Sequence, residues 1–348
     1  MFTSAFNYNL PKELIAQKSL KPRDHSRLML VDRTTGAISH RHFFDLPKFL
    51  RAGDLLVFND TKVFKARLLG KIGSRNVEIF LLRPSTGDQW EALGRPGKAM
   101  PIGVRVQFTK NFWCTVAKKF SDGRLLVKFP CLPEKVIACA NRVGHIPVPP
   151  YVKTEPRNFE EYQTIFAKRT GSVAAPTASF HFTKRLLREI EGGGIQTVKI
   201  TLHVGIGTFR PVKAVRVEDH TMHSEWAEIS ESAAQKIRAA KEEGRRVIAV
   251  GTTVVRALEG TAKKFGNVKK FSGDINIFIT PGFKFQVIDG LITNFHLSKS
   301  TLLMLVSAFA GRRRALAAYE KAVAKKYRFF SFGDAMFIAS GFIASGRQ

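Results

Sequence analysis

Cysteine is scarce in this chain. Only Cys114, Cys131 and Cys139 occur among 348 residues, and no two of them form a CxxC pair. An odd number of cysteines without paired spacing supports neither a disulfide framework nor a zinc ribbon. The cysteine content is typical of a reducing compartment, and we expect the cytoplasm.

Long apolar runs are also missing. The longest strongly apolar stretch covers residues 302–310, whereas about 20 residues are needed to span a bilayer. The N-terminal sequence MFTSAFNYNLPKELIAQ lacks the basic segment and apolar core of a secretory signal. We therefore expect neither export nor a membrane partner.

Acidic residues are few relative to basic ones. The chain has 56 Lys and Arg against 28 Asp and Glu, which gives a net charge of +28. Such an excess favours a polyanionic partner, because each phosphate that a protein neutralises releases condensed counterions. Nucleic acid is the first interpretation, and an organism-wide bias toward basic proteins is the alternative.

The length of the chain predicts two domains, and the change of sequence pattern along the chain predicts that one is inserted into the other. Residues 62–150 contain short alternating runs such as NVEIFLLR and VRVQFT, separated by turn signals that include Asp122-Gly123. Strands at this spacing predict a small β-barrel or sandwich. The segment carries 16 Lys and Arg against 5 Asp and Glu. Its surface is either a candidate for backbone contacts with nucleic acid or an ordinary solvated exterior.

Residues 1–61 and 151–348 show a different pattern and form the second predicted domain. Helical segments such as FTKRLLREIE, ESAAQKIRAAKEE and VVRALEGTAKK alternate with short apolar strands such as VKITLHV, RVIAVG, INIFI and LITNFH. This alternation predicts an α/β domain with at least partly parallel strands. The Pro-rich HIPVPPYV at residues 145–152 suits the return crossing from the β module.

Several candidate site residues follow predicted strands. His203, Gly205, Gly207 and Thr208 come directly after the strand VKITL, where glycines let the backbone approach a ligand and an imidazole can transfer protons. A bulge or turn is the alternative. Asn294 and His296 likewise lie at the end of the predicted strand LITNFH.

Two further segments have hydroxyl groups near predicted helix starts. Thr252 and Thr253 follow RRVIAVG and are positioned as N-caps, at a helix start that favours an anionic ligand. An ordinary strand-to-helix turn has the same pattern, and neither GxGxxG nor a P-loop is present. In AAPTASFHF, the turn at Pro176 precedes Thr177 and His181, and a helix entry with capping hydroxyls is the alternative.

EDHTMHSE at residues 218–225 combines His220 and His223 with Asp219 and Glu225. A two-His, one-carboxylate metal site is conceivable, but no third His or Cys lies nearby at ligand spacing. Acid/base chemistry is the better interpretation, and no metal site is predicted.

Taken together and in order, these strings closely resemble one family. VAAPTASFHF, TLHVGIGTFRPV, EDHTMHSE, VIAVGTTVVRALE and YRFFSFGDAMFI, with GDLLVFNDTKVFKARL and VGHIPVPPY nearer the N-terminus, are similar to the S-adenosylmethionine:tRNA ribosyltransferase-isomerase family of queuosine biosynthesis. The resemblance covers nearly the whole chain. It implies a mixed α/β, barrel-like main domain that carries a small antiparallel β-barrel as an insertion.

The family reaction implied by the resemblance uses S-adenosylmethionine as a substrate, and no cofactor is expected. The ribosyl moiety moves onto 7-aminomethyl-7-deazaguanine at the tRNA wobble position, giving epoxyqueuosine and releasing adenine and methionine. The expected partners are the tRNA anticodon stem-loop and S-adenosylmethionine, and we expect a monomer. A non-catalytic RNA-binding protein of the same fold and a small-molecule transferase that ignores RNA are the competing hypotheses.

Site roles follow from residue type within the matching motifs. Asp219 and His220, with His203 second, are the expected proton-transfer groups. Ser172, Ser179 and Phe180 depart from the Ala, Gly and Leu that the family pattern leads us to expect, which changes the pocket edge without removing a candidate acid or base. The expected substrate-binding residues are Ala175, Pro176, Thr177, His181, Gly205, Gly207, Thr208, Thr252, Thr253, Arg256, Asn294 and His296.

Overall fold

The computed structural model describes residues 1–205 and 212–342. Its main feature is a nine-stranded mixed sheet with the strand order β15-β13-β12-β3-β14-β16-β17-β1-β2. The strands of this sheet are β1 (Arg27–Asp32), β2 (Ile38–His42), β3 (Leu55–Asn59), β12 (Gln196–Leu202), β13 (Glu225–Ile229), β14 (Val247–Val250), β15 (Phe271–Ile275), β16 (Gly290–Asn294) and β17 (Ala335–Ala339).

Four adjacent strands of the sheet, β12, β3, β14 and β16, run parallel to one another. Their carboxyl ends therefore meet at one edge of the sheet, the position at which open α/β sheets bind ligands. The chain continues from these ends into His203, Gly251 and Phe295, among others. This topology brings together motifs that are far apart in the sequence.

Side chains alternate between the two faces of the sheet, and each face is covered. On β3, Leu55 and Val57 belong to the core beneath α3 and α4, whereas Leu56 and Phe58 belong to the core beneath α2. This alternation is the two-residue period of a strand buried on both faces. The helices are α1 (Pro133–Val143), α2 (Lys184–Gly192), α3 (Glu231–Glu242), α4 (Thr252–Phe265), α5 (Thr301–Ala310) and α6 (Arg312–Ala324).

A closed six-stranded barrel with the order β10-β7-β6-β5-β8-β9 is inserted into the main domain. The chain leaves the main domain after β4 (Thr61–Val63) and returns through β11 (Arg169–Ser172), which pairs in parallel with β4. The barrel interior is filled by side chains such as Leu68, Trp90 and Val127. The barrel strands are β5 (Arg67–Ile72), β6 (Arg75–Pro84), β7 (Gln89–Arg95), β8 (Arg105–Thr109), β9 (Phe112–Lys119) and β10 (Arg124–Lys128).

The predicted fold class, a mixed α/β domain with an inserted antiparallel β-barrel, is confirmed. The domain limits at residues 62 and 150 stay a prediction. The Asp122-Gly123 turn does join β9 to β10, and Ser300 caps α5 by accepting a hydrogen bond from the Leu303 amide.

Some elements were not predicted or were predicted with the wrong limits. The strand predicted for INIFI, residues 275–279, was wrong in extent. The observed strand β15 lies earlier in the chain and ends at Ile275, the first residue of that motif. Helix α1, with Pro133 in its first turn, and strands β13 and β17 were not predicted. Strand β17 is buried on both faces, so its sequence AMFIA lacks the alternation that marks a half-exposed strand.

No helix in the described part of the chain is both long enough and apolar enough to cross a membrane.

Candidate active site

A cavity of about 660 Å³ lies between the barrel and the carboxyl edge of the main sheet. Arg83, Glu91 and Arg124 line it from the barrel. Arg83 also donates two hydrogen bonds to the carboxylate of Asp274 on β15, at 3.0 and 3.1 Å, so that an ion pair joins the two domains across the cavity. The residues predicted from the sequence that line this cavity are His203, Gly205, His220 and Arg256.

A smaller cavity of about 60 Å³ adjoins the larger one, because Val204 lines both. It lies at the ends of β14 and β16. The predicted residues that line it are Ala175, Pro176, Thr177, Thr252, Thr253, Asn294 and His296. Eleven of the predicted residues are thus brought together around two adjoining hollows.

His203 is held on three sides. Its Nδ1 atom lies 2.7 Å from the Thr61 hydroxyl of β4, and its ring stacks on Trp226 of β13 at 4.9 Å between centroids. On the third side, Gly171 of β11 lies so close that an added Cβ atom would be 2.4 Å from Nε2. Burial, with a smaller effect from Arg169, lowers the pKa of His203 to about 4, so the imidazole is neutral at neutral pH.

His220 and Asp219 are neighbours in the sequence but have different environments. Asp219 ends a short 3-10 helix, Val217–Asp219, and its side chain is exposed. It is not among the described residues that line either cavity. His220 is half-buried, meets Phe278 edge to face, and lines the larger cavity. Burial and the nearby His223 lower its pKa.

A buried ion pair lies at the wall of the larger cavity. The guanidinium of Arg256 on α4 donates a hydrogen bond to the carboxylate of Glu225 on β13, and both side chains are at most 4% exposed. Glu225 also accepts a hydrogen bond of 3.0 Å from the Gly205 amide, and Arg256 donates one of 3.3 Å to the His223 carbonyl. The pair therefore fixes β13, α4 and the backbone after β12 relative to one another.

The start of α4 differs from the prediction. Thr252 and Thr253 are the first two helical residues, and the N-cap is Gly251, at φ 98°. The prediction that these threonines cap the helix was wrong, because the chain enters the helix through a left-handed glycine and no side chain caps it. The Thr253 hydroxyl instead accepts a hydrogen bond of 3.4 Å from Asn59 on β3.

His181 lies behind the smaller cavity in a chain of hydrogen bonds. Its ring nitrogens contact Ser26 at 2.7 Å and Asn294 at 3.1 Å, and Asn294 in turn accepts a hydrogen bond from Thr177. His181 is not among the described residues that line either cavity. Burial, with smaller effects from Arg328 and Arg23, lowers its pKa to about 3. Its position is therefore that of a neutral support for Asn294.

His296 comes two residues after β16, and its side chain lines the smaller cavity. Its Nε2 atom lies 2.7 Å from the Thr293 hydroxyl, and burial lowers its pKa to about 3. The remaining two predicted residues, Gly207 and Thr208, lie outside the described residues.

Comparison with known proteins places this architecture in a family. A family model described as queuosine biosynthesis protein matches residues 3–338. The chain belongs to this family. The resemblance drawn from the sequence motifs is thereby confirmed.

Curated relatives give the family its enzymatic name. A relative from Halothermothrix orenii, named S-adenosylmethionine:tRNA ribosyltransferase-isomerase, is 52% identical over 343 residues, which cover 97% of this chain and 100% of the relative. One of the same name from Moorella thermoacetica is 48% identical over 336 residues, covering 96% and 98%. The prediction that the chain is an enzyme of the S-adenosylmethionine:tRNA ribosyltransferase-isomerase family is confirmed.

A solved structure is also similar. The crystal structure of S-adenosylmethionine tRNA ribosyltransferase from Thermotoga maritima aligns with a TM-score of 0.57 at 36% identity, covering 96% of this chain and 99% of that chain.

Within this member of the ribosyltransferase-isomerase family, several residues of the site were not predicted from the sequence. Thr61, Gly171 and Trp226 surround His203, and Glu225 was noted only as a flanking carboxylate. The motif NDTKV contains Thr61, but nothing in its local sequence indicates contact with a histidine 142 residues away. Among the described residues, no three His, Cys, Asp or Glu side chains are grouped as metal ligands.

Proposed function

We propose that the chain transfers the ribosyl moiety of S-adenosylmethionine onto 7-aminomethyl-7-deazaguanine at the tRNA wobble position. The products are epoxyqueuosine in tRNA, adenine and methionine. The observation that carries the proposal is the larger cavity, because Arg83 and Arg124 of the barrel line one side of it and three histidines of family-matching motifs, His203, His220 and His223, line the other. A donor and a nucleobase can meet there.

The cavity volumes decide where the donor is placed in this proposal. Small-molecule sites occupy about 300–1,000 Å³, and the larger cavity, at about 660 Å³, falls within this range. The smaller cavity, at about 60 Å³, has no room for an adenosyl group. Its polar residues, Thr177 and Asn294 among them, are therefore proposed to contact only one edge of the bound donor.

The chemistry requires a base and a proton donor. The sulfonium acidifies the adjacent ribose 5′-carbon, so that a base can remove a proton from it, and adenine must gain a proton as it leaves. We assign His220 as the base, because its imidazole lines the cavity and its lowered pKa keeps it unprotonated at neutral pH. The imidazolium formed in this step can then protonate the leaving adenine.

His203 takes a different role in the proposal. With a pKa of about 4, it is a weak base for a carbon acid, so we assign it to hydrogen bonding with the donor. Asp219, which the sequence favoured for proton transfer, has an exposed carboxylate. We therefore place Asp219 outside the reacting group, and the comparison of Asp219 with His220 becomes a test.

The RNA side of the proposal rests on charge. Residues 62–150 hold 16 of the 56 basic residues and 5 of the 28 acidic ones. We propose that the barrel contacts the phosphates of the anticodon stem-loop, and that a single copy of the chain acts on one tRNA.

The deciding experiment mixes the protein, S-adenosylmethionine and an anticodon stem-loop that carries 7-aminomethyl-7-deazaguanine. Adenine release with a matching mass gain on the RNA is the expected result. Stem-loop binding without adenine release would indicate a non-catalytic RNA-binding protein. Salt-insensitive adenine release with the free base would indicate a small-molecule transferase, since RNA binding weakens steeply as salt rises.

A further inference from the structure

A third cavity, of about 360 Å³, lies on the barrel next to the larger one. Leu93 of β7 lines both cavities. Strand β6 also connects them, because Phe80 lines the third cavity and Arg83, three residues further along, lines the larger one. Three residues of a strand span about 10 Å, so the two hollows are close neighbours on one barrel surface.

The lining of the third cavity is largely apolar. Phe80 and the Pro-rich crossing at residues 146–150 both line it. Phe80 is half-buried, and among the described residues no aromatic ring stacks on it. Phe80 packs against the barrel core with one part of its ring, and the part that lines the cavity can contact a flat ligand. The other apolar lining residues are Leu93, Ile146, Pro147, Val148, Pro149, Pro150, Val152 and Val173.

Two arginines lie at the rim. Arg67 is neutralised by Glu78 on the neighbouring strand, at 2.6 Å. Arg95, at the end of β7, is exposed, and no described residue forms an ion pair or a side-chain hydrogen bond with its guanidinium. One cation at this rim is thus available to an anionic ligand.

We propose that the third cavity receives an unpaired base of the same tRNA loop, one that neighbours the modified base. The base would stack on Phe80, and Arg95 would contact the phosphate beside it. Single-stranded RNA is recognised in this way, by bases splayed onto aromatic side chains with cations along the backbone. This inference rests on the proposed function, since it places the modified base in the adjoining larger cavity.

Charge and location favour RNA over a protein partner at this site. The surrounding segment, residues 62–150, has a net charge of +11 from 16 basic and 5 acidic residues. An apolar floor with a free arginine at its edge matches the two parts of a nucleotide, the flat base and the charged phosphate.

The test compares Phe80→Leu, which keeps apolar volume but removes the ring, with Arg95→Ala. Stem-loop dissociation constants are measured by fluorescence anisotropy for the full loop and for loops with one abasic position beside the modified base. Each variant should weaken binding of the full loop, Phe80→Leu by about 5- to 100-fold if a stacked base is lost. Arg188→Ala, an exposed arginine of α2 in the main domain and outside the cavity lining, is the matched control and should bind like wild type.

The abasic loops separate a base pocket from a general loss of charge. If the pocket holds a base, wild type should bind one of the abasic loops more weakly than it binds the full loop. Phe80→Leu should bind that abasic loop and the full loop equally well, because the stacking contact is already lost. Equal affinity of wild type and Phe80→Leu for every loop overturns the inference. Failure of the unmodified protein to release adenine overturns the proposed reaction instead, and the binding comparison still decides the pocket. Thermal melting of each variant confirms that it is folded.

Discussion

The imidazole of His203 lies directly against the backbone of Gly171, at a distance that leaves no room for a side chain. A Cβ atom on Gly171 would be 2.4 Å from His203 Nε2 and 2.7 Å from Cε1. Since Gly171 belongs to β11 and His203 follows β12, the packing of two strands fixes the orientation of a ring that lines the larger cavity.

Gly171→Ala should therefore displace the His203 ring and lower turnover. Small displacements of groups that position substrate can cost about 100-fold in rate, and we expect a loss approaching that size in adenine release. Stem-loop affinity should change little. Gly192→Ala is the matched control, because no atom lies within 4 Å of its added Cβ. Wild-type turnover in Gly171→Ala would show that His203 has no part in the reaction.

His220→Ala and Asp219→Asn distinguish two adjacent candidates for the base. Removal of a general base costs about 10²- to 10⁴-fold, and we expect this loss in adenine release for His220→Ala, with stem-loop binding retained. Asp219→Asn should stay near wild type, because its carboxylate is exposed and away from the cavity lining. The reverse pattern would move the base to Asp219.

The buried ion pair between Glu225 and Arg256 should contribute more to the free energy of unfolding than an exposed ion pair does. Removing one partner of a buried ion pair costs about 3–5 kcal/mol, because the attraction between the two charges no longer offsets the desolvation of the one that remains. Glu225→Gln and Arg256→Met should each lower the free energy of unfolding by about this amount in urea titrations. Glu189→Gln, which breaks an exposed pair with Arg185, should cost about 0–1 kcal/mol. Similar losses in all three variants would contradict the assignment.

Stability should fall in acid, partly through His181. Its pKa is lowered to about 3 in the folded chain, against 6.5 for an ordinary histidine. Between pH 6.5 and 3, His181 is therefore protonated in the unfolded state but not in the folded state. The free energy of unfolding decreases as the pH falls through this range. The slope contributed by one such group is about 1.4 kcal/mol per pH unit. In His181→Asn, the urea-derived free energy of unfolding should fall less steeply over this range than in wild type.

Metal removal should leave the reaction intact. His220 and His223 are close in sequence, but the described residues contain no group of three metal-binding side chains. Dialysis against a chelator followed by the adenine-release assay should give wild-type turnover. Inactivation that is restored by added Zn²⁺ would instead support a metal at His220 and His223, and His223→Ala would then be inactive as well.

The sequence alone was sufficient for the family, the fold class and the positions of several strand ends. Alternation of period two marked the barrel segment, and apolar strands alternating with amphipathic helices marked the main domain, because both patterns follow from local geometry. His203, Asn294 and His296 were recognised because each lies at or near the end of an apolar strand.

Only the tertiary structure decided which of these residues share a cavity and what surrounds them. Thr61, Gly171 and Trp226 meet at His203 because β4, β11 and β13 pack around the end of β12, and such packing depends on strand order and register rather than on local sequence. The same reason separates Asp219 from His220: Asp219 ends a 3-10 helix and is exposed, whereas His220, the extended residue that follows it, lines the cavity. Local sequence determines element type, whereas exposure and proximity arise from contacts between elements that are distant in the chain.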